Sequence, residues 1–215
     1  MICYDYINDY IRKTIRANEG ILAELEAFAR ENHVPIVHPE VARLITVLGR
    51  MAKPRRVLEV GTAIGYSAIL FSSILAPDGK IDTIDRYELM LNRARDNISR
   101  AGLGEVINII QGDALEVLSC LDKSYDIIFL DAAKGQYCEF LPHCIRMLSE
   151  GGLIISDNVL YKGMVASDCL VVRRKKTIVK RMRSYLNAIC TDERLDTSII
   201  PIGDGVALSY KVGGG

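Results

Sequence analysis

From Arg56 onward the chain alternates short runs of β-branched and aliphatic residues with stretches of helical periodicity, and few folds accept that rhythm. The runs are Arg-Val-Leu-Glu-Val (56–60), Lys-Ile-Asp-Thr-Ile-Asp (80–85), Val-Ile-Asn-Ile-Ile-Gln (106–111), Tyr-Asp-Ile-Ile-Phe-Leu-Asp (125–131) and Gly-Leu-Ile-Ile-Ser-Asp (152–157). Helices over 65–76, 87–101, 113–120 and 134–148 fill the gaps. Repeated βα units of this kind build a mostly parallel sheet covered on both faces. A long polar and basic helix over about 170–190 follows. Residues 197–212, TSIIPIGDGVALSYKV, then suit two antiparallel strands around a Gly-Asp-Gly turn. The expected class is α/β: a Rossmann-like, mostly parallel seven-stranded sheet with an antiparallel C-terminal hairpin and N-terminal helices.

Those N-terminal helices are read from periodicity. Tyr6, Ile7, Tyr10 and Ile11, then Ile21, Leu22, Leu25 and Phe28, then Val41, Leu44, Ile45 and Leu48 recur at helical spacing, broken by Pro35 and Pro39. The chain therefore divides into a helical preface, 1–51, and a core, 56–212. With 215 residues and 49% hydrophobic content, 1–215 can bury one large core as a single domain. The terminal Gly-Gly-Gly has neither helix nor strand character.

Twenty-seven basic side chains balance twenty-seven acidic ones, so no global field steers the molecule to a polyanion, and any such ligand needs a local patch. Six scattered cysteines show no CxxC pair or zinc-ligand spacing and read as reduced thiols. His33, His38 and His143 are too dispersed for a metal cluster and receive no role. The N-terminus, MICYDYINDYIRK, mixes Asp and Tyr into what a signal peptide would keep apolar, and no run approaches 18 apolar residues. A cytoplasmic protein without membrane contact is expected.

In an open α/β sheet ligands bind beyond the carboxyl ends of the strands, and here those ends are polar. The first strand closes as Glu59-Val60-Gly61-Thr62-Ala63-Ile64-Gly65-Tyr66-Ser67, where glycines permit a sharp turn close to a ligand. The spacing lacks the GxGxxG that holds a pyrophosphate, and Glu59 would repel phosphate but suit a cationic nucleoside, S-adenosylmethionine. Asp85, at the second strand end, is placed for a ribose diol, and Gln111-Gly112-Asp113-Ala114 suits an adenine edge. The bland alternatives are helix and strand packing for the glycines and a solvated carboxylate for Asp85.

The fourth strand runs into Asp131-Ala132-Ala133-Lys134, and the fifth into Asp157-Asn158. Two carboxylates and an amide carbonyl are hard oxygen donors, which favours Mg²⁺; the same three residues could instead cap helices. A cation there lowers the pKa of a coordinated hydroxyl and orients it, and Lys134 could take its proton or stabilise the oxyanion. The alternative for Lys134 is a surface charge.

These segments, ExGTAIGYS, DAAKGQY and SDNVL, resemble the cation-dependent O-methyltransferases of the caffeoyl-CoA and catechol type, a class I methyltransferase family, from about Asn32 onward. Within it the chain is most similar to the bacterial tRNA 5-hydroxyuridine methyltransferases, through YxxINDYI, HVPI, GTAIGYSAI, GDALE, DAAKGQY, DNVLYKGMVA and IIPIGDG. The resemblance implies a homodimer, 5-methoxyuridine at the wobble position of the tRNA anticodon loop as product, and Mg²⁺ at Asp131, Asp157 and Asn158. It also implies cofactor contacts by Val37, Glu59, Gly61, Ser67, Asp85, Asp113, Ala114 and Asp131. The segment after Asn158 departs from the family in having fewer acidic and aromatic residues, which leaves the substrate contacts open.

For RNA the local patch is Arg173, Arg174, Lys175 and Lys176, continued by Lys180, Arg181 and Arg183 and extended by Lys162 and Arg146. A solvated helix face is the alternative. Tyr161 or Tyr137 could stack on an extruded base, or belong to the core or a dimer contact. A small catechol or phenylpropanoid-type hydroxyl is the competing acceptor.

Overall fold

The computed structural model describes residues 2–213, so Met1, Gly214 and Gly215, which the expected domain and glycine tail include, lie outside the described residues. Three helices, α1 (Asp5–Thr14), α2 (Gly20–Glu31) and α3 (Pro39–Ala52), precede the first strand. Then β1 (Arg56–Val60), α4 (Tyr66–Ser72), β2 (Lys80–Asp85), α5 (Glu88–Arg100), β3 (Ile107–Gln111), α6 (Ala114–Cys120), β4 (Tyr125–Leu130), α7 (Tyr137–Met147) and β5 (Leu148–Ser156) alternate. The chain ends with α8 (Lys176–Thr191) and the hairpin β6 (Leu195–Ile200) and β7 (Val206–Lys211).

The strands lie in the order β3-β2-β1-β4-β5-β7-β6, with β1 to β5 parallel and β7 antiparallel to both β5 and β6. The last strand is thus internal. It separates β6 from the rest of the sheet.

Continuous apolar runs such as Ile127–Leu130 are buried on both faces, as central parallel strands require. On one face α6, α7 and α8 bury Leu118, Phe140, Ile145, Met182 and Ile189; on the other α2 to α5 bury Leu25, Ile45, Phe71 and Ile98. Edge strand β6 instead has several exposed positions.

Four boundaries differ from the sequence reading by more than two residues. α4 stops at Ser72, four residues early, and β5 begins at Leu148, inside the expected helix 134–148, with a register shift opposite Tyr125 and Ile127. Residues 134–136 form a separate 3₁₀ turn. The helix expected over 170–190 is two 3₁₀ turns, Asp168–Leu170 and Arg173–Lys175, followed by α8 from Lys176. Four successive cations at the positive end of a helix dipole repel one another and that end, which disfavours an earlier α-helical start. No helix among the described residues is long and apolar enough to cross a membrane.

Candidate active site

Parallel register aligns the strand ends. Asp85 pairs with Gln111, Ile84 with Val60, Val60 with Leu130 and Leu130 with Ser156. The next residues out, Gly61, Asp131 and Asp157, continue the row. Gly61 N donates to Ile84 O, Asp131 N to Val60 O and Asp157 N to Leu130 O, at 2.9, 3.0 and 2.9 Å. Asp131 and Asp157 are therefore neighbours at about the 4.8 Å strand spacing.

The row borders a cleft in two joined parts. One, of about 300 Å³, is lined by Ile36, His38, Gly61, Asp85, Asp131, Lys134, Asp157 and Asn158 among others. The other, of about 160 Å³, shares Asp85 and Ala132 and adds Tyr87, Asp113 and Ala114. This is the crevice where the strand order reverses between β1 and β4. A larger concavity, about 620 Å³, lies around Arg56 and Lys80 at the opposite strand ends and contains none of these groups.

Gly61 has φ +116°, and a Cβ there would sit 2.9 Å from Ala132 Cβ, so only glycine fits this turn. Asp85 is fixed by backbone donors: Ala63 N to Oδ2 at 3.0 Å, and Arg86 N and Tyr87 N to Oδ1 at 2.7 and 3.0 Å. That orients the carboxylate toward the cleft and leaves a lone pair on Oδ2 for a ligand hydroxyl. Asp113 caps α6 by accepting from Leu115 N at 3.0 Å and meets the Arg86 guanidinium at 3.3 Å. It is a helix cap that also lines the cleft.

Glu59, Ser67 and Val37 are buried behind the surface of the cleft rather than in its lining. Glu59 directly precedes the glycine turn at the end of β1. Its carboxyl is fully buried, and burial pushes its pKa up to about 8 while the Ser67 and Thr83 hydroxyls pull the other way. Thr83 donates to Oε2 at 2.5 Å and bonds Thr62 at 2.7 Å, which ties the carboxylate to the glycine turn. Oε1 has no partner among the described residues.

The acidic centre is short of positive charge. Burial raises the Asp131 carboxyl above the usual range, opposed by Lys134, whose Nζ lies 3.6 Å from Oδ1. Asp157 is pushed up to about 7, first by burial and then by the charge of Asp131. Asn158 sits in the left-handed region at φ +57°, which asparagine tolerates, and no hydrogen bond engages its side-chain amide among the described residues. A buried and a half-buried carboxylate beside a free amide fit a hard divalent cation. The described residues include no group of three or more His, Cys, Asp or Glu placed to hold a metal ion, so the amide oxygen would have to complete the set.

One residue that the sequence reading left out joins the cleft, and a second acts on it from outside the lining. His38, given no role there, lines it beside Asp131 and Asn158. Asp204, read only as part of a turn, accepts from Lys162 N at 2.5 Å, and its charge acts on Asp157. Its neighbours grip the segment after Asn158: Gly205 O and Asp204 O accept from Val159 N and Leu160 N.

The basic stretch is only partly free. Arg183 is spent on Asp168 and on the carbonyls of Val165 and Met164, Arg181 on Gly135 O, and Arg146 on Leu118 O. Arg173, Arg174 and Lys176 are exposed and form no ion pair among the described residues, and Lys175 Nζ lies 5.6 Å from the centre of the Tyr161 ring. Tyr137 cannot stack on a base, because it is wholly buried and donates to Leu130 O at 2.8 Å and Asp157 O at 3.3 Å.

The model of a family described as O-methyltransferase matches residues 13–212. A protein of Mycolicibacterium vanbaalenii, provisionally named an O-methyltransferase, is 36% identical over 191 residues, 86% of this chain and 83% of its own. An Arabidopsis thaliana protein, provisionally named a caffeoyl-CoA O-methyltransferase, is 30% identical over 94% of this chain and 84% of its own. A crystal structure from Staphylococcus aureus, with that same provisional name, superposes with a TM-score of 0.89 at 36% identity, covering 96% of this chain and 100% of its own.

Proposed function

The chain belongs to the O-methyltransferase family, and we propose that it transfers a methyl group from S-adenosylmethionine to an ionisable hydroxyl with the help of a divalent cation. The observation that carries this reading is the pair of carboxylates, half-buried Asp131 and buried Asp157, at adjacent strand ends within the cleft that Asp85 borders. Asp131, Asp157 and Asn158 would hold the cation, and their oxygen donors favour Mg²⁺. When bound, the sulfonium supplies an electrophilic methyl group and the cation lowers the pKa of the hydroxyl.

This chain's residues do the rest. Asp85 receives the ribose hydroxyls, Gly61 lets the backbone approach the donor, and Asp113 and Ala114 border the base. Any contact from Val37 comes from its backbone, its side chain being in the core. Lys134, 3.6 Å from Asp131, would take up the hydroxyl proton or hold the oxyanion.

For the acceptor we propose 5-hydroxyuridine at the wobble position of tRNA, giving 5-methoxyuridine. The half-buried Tyr161 under Lys175, close in sequence to Asn158 and flanked by exposed Arg173, Arg174 and Lys176, supports a stacked base with phosphates anchored nearby. The names of the Arabidopsis and Staphylococcus proteins favour a second reading, a catechol or phenylpropanoid-type hydroxyl. A homodimer belongs to the same proposal; Tyr6 and Tyr10 on α1 and Met51 on α3 are exposed, and sedimentation would check it.

Radiolabelled S-adenosylmethionine incubated with Mg²⁺ and either tRNA bearing 5-hydroxyuridine or catechol tests the reading. Label in tRNA that is lost with Asp157→Ala, while the cofactor still binds, is the expected result. Label only in catechol moves the acceptor to the second reading. Label in neither overturns both.

A further inference from the structure

We propose that His38 recognises the acceptor, presenting Nε2–H to an oxygen of the molecule being methylated. The inference rests on the O-methyl transfer reading and adds a residue to it. It starts from Arg12 on α1. Its Nε and a terminal nitrogen donate to Glu40 Oε2 and Oε1 at 2.8 and 2.7 Å, and the Glu40 side chain is 1% exposed, so this clamp is rigid.

The same guanidinium nitrogen lies 3.2 Å from His38 Nδ1. A guanidinium can only donate, so Nδ1 must accept and the ring proton must reside on Nε2. The backbone is fixed as well: His38 precedes Pro39 at the start of α3, and its carbonyl accepts from Ala42 N at 2.8 Å. The β6–β7 turn abuts the ring edge, since a Cβ at Gly203 would lie 3.3 Å from His38 Cδ2. The imidazole is held in place and in one tautomer. Nε2–H has no partner among the hydrogen bonds of the described residues, and the ring lines the part of the cleft that contains Asp131, Lys134 and Asp157.

A donor held this way discriminates by hydrogen bonding to an acceptor's oxygen near its reacting hydroxyl. Its loss should weaken acceptor binding and leave the cofactor alone. The link also gives α1, which buries none of its residues, a role in the cleft.

The test uses full-length wild type, His38→Ala, His38→Gln and Arg12→Met, with tRNA bearing 5-hydroxyuridine and, in parallel, catechol. For whichever is methylated, His38→Ala should raise KM by about tenfold, the effect of one lost hydrogen bond, with kcat and S-adenosylhomocysteine affinity within about twofold. His38→Gln, whose amide nitrogen keeps a donor near Nε2, should restore most of the KM. Long-range ¹H–¹⁵N spectra should show Nε2–H in the wild type and a tautomer mixture in Arg12→Met, independently of any turnover. An unchanged KM in His38→Ala, a cofactor defect in place of the acceptor defect, or Nδ1–H in the wild type overturns the inference and spares the methyltransferase reading. A wild type that methylates neither acceptor overturns both.

Discussion

Glu59→Gln separates the charge of the buried carboxylate from its shape. In the protein without cofactor or metal, burial raises Glu59 from its usual 4.5 to about 8. Between those values the folded chain keeps a proton that the unfolded chain has released, so the contribution of Glu59 to stability is greatest below pH 4.5 and falls as pH rises toward 8. A gap of about 3.5 pH units at about 1.4 kcal/mol each amounts to roughly 5 kcal/mol across that window. The amide introduced by Glu59→Gln cannot ionise and escapes that slope, although it places a donor where Oε1 already lacks a partner, a constant cost of about 1–3 kcal/mol. About 4 kcal/mol of that falls between pH 5 and pH 9, and at about 2–4 °C per kcal/mol for a domain of this size the Tm difference between variant and wild type should move by roughly 8–16 °C in the variant's favour over that range. Thermal melts in EDTA across that range measure it. Calorimetry in buffers of different protonation enthalpy should also find proton release when the cationic cofactor binds near pH 7, reduced in Glu59→Gln. Parallel Tm profiles for the two proteins would show that Glu59 is not the proton's carrier.

Gly61→Ala forces a Cβ to within 2.9 Å of Ala132 Cβ at φ +116°, a backbone cost of about 1–3 kcal/mol before any clash; a Tm lowered by several degrees and a cofactor affinity weakened at least tenfold by calorimetry are expected. Because Asp157 is pushed up to about 7 and must be ionised to ligate, Mg²⁺ affinity should increase from pH 6 to pH 8, and a flat titration would remove Asp157 from the metal set. Tyr137→Phe leaves Leu130 O and Asp157 O without their phenolic donor and should cost about 1–3 kcal/mol in urea unfolding; an unaltered midpoint would falsify that hydrogen-bonded role.

The strands and their end residues were legible because a strand covered on both faces has to be apolar along its length, while the residue that leaves the sheet at the ligand edge does not. Asp85, Asp131 and Asp157 stand out against Ile84, Leu130 and Ile155 for that reason. Parallel register then aligns them without further information. Lengths were less legible: Leu148 continues the apolar periodicity of α7 but belongs to β5, a choice made by its pairing with Tyr125. His38 and Asp204 were missed for a related reason. Each sits in a connection between elements, and each is held by a segment far away in sequence, His38 by Arg12 from α1 and Asp204 by Lys162 N. Only the glycines around Asp204 hinted at a constrained position.

The internal place of β7 has a consequence for the order in which the molecule is completed. Synthesis runs from the N-terminus at about 5–20 residues per second, and the five parallel strands can begin to pair as they emerge. Until β7 arrives, β5 is an open edge and β6 has no neighbour in the sheet. The carbonyls of Asp204 and Gly205 that anchor Leu160 and Val159, just beyond Asn158, come with that final strand. A nascent chain can therefore shape the nucleoside side of the cleft early, yet the acidic centre receives its support only when β7 slots in. Chains stalled or cleaved before Val206 should be aggregation-prone through the exposed β5 edge, and inactive for the same reason.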